Sequence, residues 1–142
     1  MSIFKAISRA YEYANQRKYP KIYIALDLHG VCFRSNYAQG GYTWFNDQVV
    51  PALQSISNQS EVVIILFSSC HPEEQPIIMQ FFADNGIKVA YFNENPECSN
   101  SKSGCFDSKF YYSIVIDDKA GFDPDEWEEV ASFFSAQTIS AE

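Results

Sequence analysis

The sequence predicts an α/β domain of three layers, α/β/α, built on a doubly wound and mainly parallel sheet. Three observations predict it. Four short apolar runs, at 21–27, 61–67, 87–92 and 112–117, read as strands, and 61–67, which shows no polar–apolar alternation, reads as one buried on both faces, as in a parallel sheet. Segments with helical periodicity alternate with them, which is how parallel strands are connected. At three of these runs a polar or charged residue closes the strand, and open parallel sheets bind ligands outside the carboxyl ends of their strands. With 142 residues the chain fits a single domain, 1–142.

Each element has its own signal. Ile3, Phe4, Ile7, Tyr11 and Ala14 recur at helical spacing, and Pro20 closes that first helix. KIYIALD, 21–27, is the first strand. Residues 28–44 carry Gly30, Gly40 and Gly41 and read as a loop or flap; Tyr37, Tyr42, Trp44 and Phe45, with the loop 93–108, are expected to cover part of a site. A helix follows from about Asp47 to Ile56, with Val50, Leu53 and Ile56 inward and Pro51 near its first turn, where proline is tolerated. EVVIILF, 61–67, is the clearest strand. PEEQPIIMQFFADNG is a helix with Glu73 and Glu74 in the first turn, where the dipole favours acids, and Gly86 as its C-terminal cap. IKVAYF, 87–92, is the third strand, and a polar loop runs from Asn93 to about Ser108. YSIVID, 112–117, is the fourth strand, and the last helix starts at Asp123, with Asp123 or Asp125 as its cap.

Composition removes several classes. Ten basic against eighteen acidic side chains give a net charge of −8, which disfavours nucleic acid as a partner, since polyanion binding needs clustered Lys and Arg. Most of the 12 Phe, 9 Tyr and 2 Trp are therefore expected to be core and core-rim residues rather than a base-stacking platform. No apolar run of membrane-spanning length occurs, and the N-terminus lacks the pattern of a secretory leader, so a cytoplasmic protein is expected. Cys32, Cys70, Cys98 and Cys105 form no C-x-x-C pair and read as reduced thiols; Cys70, His71, Cys98 and Cys105 match no common zinc spacing.

The strand ends carry the chemistry. Asp27 closes the first strand, Ser68 follows the second, and Asp117 and Asp118 end the fourth; Lys109 lies just before the fourth begins. Taken singly, an Asp or Ser after a strand is usually a turn former or helix cap, and a lone lysine is usually surface. Adjacent acids at the end of an apolar strand repel each other, and a cation offsets that repulsion. Mg²⁺ takes oxygen ligands, commonly one or two carboxylates with water and a substrate phosphate, and Asp27 and Asp117 supply the carboxylates. An Asp also attacks phosphorus to form an aspartyl-phosphate, while a lysine, hydroxyl and backbone amides hold the phosphoryl oxygens.

At these residues the chain resembles the haloacid-dehalogenase-like (HAD) superfamily of phosphotransferases. DLHGV, 27–31, is similar to its first motif, usually Asp-x-Asp-Gly-Thr. Ser68 after its apolar strand resembles the second, Lys109 the third, and IDD, 116–118, the fourth. The segments NENP, 93–96, and DDKAGFDP, 117–124, also look similar to small uncharacterised bacterial and phage members. The resemblance implies a Rossmann-like fold and a Mg²⁺-dependent hydrolase acting on a phosphorylated substrate. It implies Asp27 as nucleophile and metal ligand, and the His29 carbonyl, Asp117 and Asp118 at the metal. Ser68, Ser69, Gly30 and Lys109 would hold the phosphoryl group, with Lys109 also restraining Asp27.

Two positions depart from the pattern. His29 stands where the family has its second Asp, the general acid and base, and Val31 where it has Thr. An imidazole titrates near neutral pH and can do both proton transfers. The spacing leaves no room for a large cap domain, because 28–46 fits only a flap and a helix, a strand and a loop consume 69–108. A capless site is open, which by the same resemblance suits larger phosphorylated substrates. A phosphatase is the leading expectation. The alternative is a non-catalytic module of the same type that binds metal, phosphate or a protein. A receiver domain fits less well, since its acid pair precedes its lysine and here the pair follows it.

Overall fold

The structure is a computed structural model that describes residues 3–34, 42–102 and 104–141, with side chains described as far as Ser135. Among the described residues four α-helices and four strands follow one another, alternating except that β3 passes to β4 with no helix between: α1 (Ile3–Arg17), β1 (Ile22–Asp27), α2 (Val49–Ser57), β2 (Val62–Phe67), α3 (Gln75–Asp84), β3 (Tyr91–Phe92), β4 (Ile114–Ile116) and α4 (Trp127–Ala141). The sheet is wholly parallel, in the order β3-β2-β1-β4. The α/β class with a parallel sheet therefore stands. The last two strands are much shorter than their apolar runs, because each pairs with its neighbour over two or three residues.

Alternation along the strands defines two faces. Ile22, Ile24 and Leu26 of β1, Ile64 and Leu66 of β2, and Ile114 and Ile116 of β4 point one way, into a single apolar cluster. Ile3, Ile7, Ala10 and Ala14 of α1 enter it at helical spacing, as do Val49, Ala52, Leu53 and Ile56 of α2, Ile78 and Phe82 of α3, and Val130 and Phe134 of α4. Val50, expected inward, is only half-buried because Val49 and Ala52 take that stripe. Gly86, at φ +73°, ends the α3 segment in the left-handed region as its sequence predicts. Asp123 caps the entry to α4 by accepting from the Asp125 N–H at 2.9 Å. Buried Trp127 opens α4, and its Nε1 donates to the Val31 carbonyl at 2.9 Å.

The opposite face carries Tyr23, Ala25, Ile65, Tyr91 and Val115, which share rows because Ala25 is in register with Ile65 and Val115, and Ile65 with Tyr91. A second helical layer was expected here. Among the described residues a loop, 93–113, covers this face instead, crossing the sheet from β3 at one edge to β4 at the other. The segment is rich in Asn and Ser and has no helical apolar stripe, so turn chemistry wins. Side chains brace it. Glu97 accepts from Lys21 Nζ at 2.6 Å, Tyr91 OH at 2.6 Å and Tyr23 OH at 3.1 Å. Buried Asn95 donates to the Tyr111 carbonyl at 2.9 Å and accepts from the Glu97 N–H at 3.1 Å.

The aromatics assigned to a flap serve the core. Phe33 is fully buried, with ring centroids 5.1 Å from both Tyr42 and Trp44, and Trp44 stacks on Phe81 at 5.0 Å. These contacts fasten the segment after β1 to α3. Tyr37, Gly40 and Gly41 lie outside the described residues.

Candidate functional site

Parallel register brings the acids together. Leu26 of β1 pairs with Ile116 of β4, so Asp27 and Asp117, each one residue further on, stand side by side on the loop-covered face. A carboxylate oxygen from each of Asp27, Asp117 and Asp118 lies within 4.8 Å of the others, and among the described residues this is the one such group of potential ligands. None of the cysteines joins it, and the four thiols are free.

Two turns build the rim. After β1 the Leu28 carbonyl accepts from the N–H groups of Val31, Cys32 and Phe33 at 3.2, 2.8 and 2.9 Å. That turn holds Gly30 at φ +85°, and a Cβ there would meet Asp118 Oδ2 at 2.7 Å. Gly30 thus lets a carboxylate approach the backbone as no other residue would. After β4 the Lys119 N–H donates to Asp117 Oδ1 at 2.8 Å and to Asp118 Oδ1 at 3.0 Å, which turns both carboxylates toward the same opening.

The opening is a cleft of about 700 Å³. Asp27, His29, Gly30, Ser68, Ser69, Asp117 and Asp118 all line it, so three strand ends contribute. Lys109 is not among the lining residues. Its Nζ lies 5.2 Å from the centroid of the Tyr112 ring, although its neighbours Ser108 and Phe110 both reach the cleft. The lysine that lines the cleft is Lys119. It follows the acid pair directly, and the sequence offers no signal that sets it apart from a solvated turn lysine. Asn93 also lines the cleft and was passed over, since an Asn after a strand reads as a turn former.

Charge crowding marks Asp27. Its pKa is pushed from the ordinary 3.8 up to about 7, first by burial, then by the Asp117 and Asp118 carboxylates; a hydrogen bond from the Leu28 backbone offsets part of this. Burial holds the Cys32 thiol strongly protonated as well, and its Sγ donates to the Asp27 carbonyl at 3.3 Å. Burial likewise raises the pKa of the Cys70 thiol. Three hard carboxylate oxygens that repel one another around an open cleft form a donor set suited to a divalent cation. No family model, curated protein or solved structure matches the chain. No helix among the described residues is long and apolar enough to cross a membrane.

Proposed function

We propose that the protein is a Mg²⁺-dependent phosphatase of the HAD-like hydrolase type, working through an aspartyl-phosphate at Asp27, on a three-layer core in which the braced loop replaces one helical layer. The observation that carries the reading is the meeting of Asp27, Asp117 and Asp118 in one cleft with Ser68 and Ser69, from parts of the chain some 90 residues apart. The Asp27, Asp117 and Asp118 carboxylates, with the His29 carbonyl, would hold the metal. Bound there, Mg²⁺ would neutralise the crowded carboxylates and draw negative charge from the phosphoryl oxygens.

The chain's own residues then carry the reaction. Asp27 attacks phosphorus, the bond from phosphorus to the leaving oxygen breaks, and His29, which lines the same cleft, delivers a proton to that oxygen. Water next attacks the phosphoryl group, His29 takes the water's proton, and inorganic phosphate and the Asp27 carboxylate are regenerated. Ser68 and Ser69 hold the phosphoryl oxygens throughout. Hydrolysis of an aryl phosphate such as p-nitrophenyl phosphate tests this: Asp27→Asn and EDTA should each abolish it, and full activity in either case overturns the reading.

One observation favours a second reading, a non-catalytic module that binds metal or phosphate. Lys109, matched to the family's phosphate-binding lysine, lies outside the cleft lining. That reading expects Mg²⁺-dependent stabilisation without turnover on a broad panel of phosphate esters.

A further inference from the structure

Two non-glycine residues have positive φ among those described, Lys18 and Asn93, and Asn93 (φ +58°) is the one in the cleft. Its position in the sheet explains what the conformation achieves. The β2–β3 ladder runs through Ile65–Tyr91 and Leu66–Phe92 and closes with the Asn93 N–H donating to the Leu66 carbonyl at 2.7 Å. There the backbone turns away. The side-chain carboxamide continues the ladder in its place: Asn93 Oδ1 accepts from the Ser68 N–H at 2.9 Å, and Asn93 Nδ2 donates to the Ser68 carbonyl at 2.7 Å. A primary amide carries the same donor and acceptor pair as a peptide group, so one side chain satisfies both backbone groups of Ser68.

The Ser68 hydroxyl is placed by the same arrangement. It accepts from the Cys70 N–H at 3.2 Å, which closes the turn through Ser69, while its own proton remains available to a ligand in the cleft. A turn former alone needs only the left-handed φ, which Asn tolerates. The paired hydrogen bonds to one residue, 25 positions earlier in the chain, need the carboxamide as well.

We infer that Asn93 is a positioning residue, a side-chain extension of the sheet that fixes the backbone of Ser68 so that its hydroxyl faces the phosphoryl group. The inference rests on the phosphatase reading of the same cleft. Its test is a double-mutant cycle on p-nitrophenyl phosphate with Mg²⁺, using wild type, Asn93→Gly, Ser68→Ala and the double variant. Glycine keeps the positive φ without strain and removes the clamp. Asn93→Gly should lower kcat/KM about 10- to 100-fold, the scale of a sub-ångström to ångström misplacement. Inhibition by inorganic phosphate should weaken in parallel. In the Ser68→Ala background the same change should cost less than about twofold, because a residue acting through Ser68 has nothing left to position.

Unchanged turnover in Asn93→Gly, or losses that multiply fully in the double variant, overturn the inference while leaving the phosphatase reading intact. A wild-type protein that hydrolyses no ester removes the phosphatase reading alone. The cycle is then read from inorganic phosphate binding in Mg²⁺, and absence of any such binding overturns both. Should Asn93→Gly not fold, hydrogen exchange at the Ser68 amide of the wild type decides: slow exchange supports the clamp, and exchange at open-loop rates refutes it.

Discussion

Replacing Asp27 by Asn should make the metal-free protein more stable while abolishing the proposed hydrolysis. The folded state holds this carboxyl at a pKa of about 7, against 3.8 ordinarily. Below about pH 4 the group is protonated both folded and unfolded, so it costs nothing. Between 4 and 7 the folded protein binds more protons than the unfolded chain, and stability falls as pH rises. Above 7 the full penalty is present. Three pK units correspond to a ceiling of about 4 kcal/mol, but the carboxyl is half-exposed and solvent screening reduces this to about 1–2 kcal/mol. For a domain of this size that is a rise in Tm of about 3 to 6 °C. Thermal melts in EDTA from pH 5 to 8.5 measure it. The gap between variant and wild type should widen with pH and level off above 7. Saturating Mg²⁺ should narrow it by stabilising the wild type through binding. A variant no more stable than wild type at pH 8, or a gap that does not change with pH, would refute the electrostatic account of the site.

Two further outcomes follow from the rim. Lys119→Ala should raise KM for an aryl phosphate about 5- to 30-fold, about 1–2 kcal/mol for losing a charge-assisted contact, whereas Lys109→Ala should leave KM within about twofold; the reverse ranking in steady-state kinetics would return the phosphate-binding role to Lys109. Gly30→Ala should destabilise the protein by about 1–3 kcal/mol through the positive φ and displace Asp118. Urea unfolding reads the first effect, and a weaker Mg²⁺ affinity by calorimetry reads the second.

Much of this was legible in the chain because parallel strands announce themselves. The runs ending at Asp27 and Phe67 needed no partner to be recognised, and a parallel sheet puts residues that close its strands on one edge. The strand-end acids and Ser68 could therefore be grouped before any coordinates. What escaped depended on contacts that sequence does not order. IKVAYF has the composition of a strand, yet it pairs only at Tyr91 and Phe92 before Asn93 turns the backbone. Tyr42 and Trp44 have the composition of a lid, but Phe33 and Phe81 offer them buried partners. Lys109 and Lys119 flank the same strand, and nothing local separates the one at the cleft from the one beside Tyr112.

The crossing of the sheet by 93–113 bears on the order of assembly. β4 docks against β1 at Tyr23 and Ser113, 90 residues apart in sequence, so this pairing closes the longest loop in the sheet and carries its largest entropy cost. By loop-closure cost alone, Asp27 and Ser68, at the ends of neighbouring strands joined by a single helix, should meet before Asp117 and Asp118 join them. On that order the mutually repelling acids would stay apart until the rest of the core could hold them together. If the proposed metal site is right, a divalent cation present during refolding would bind only after that last docking step and would report on it.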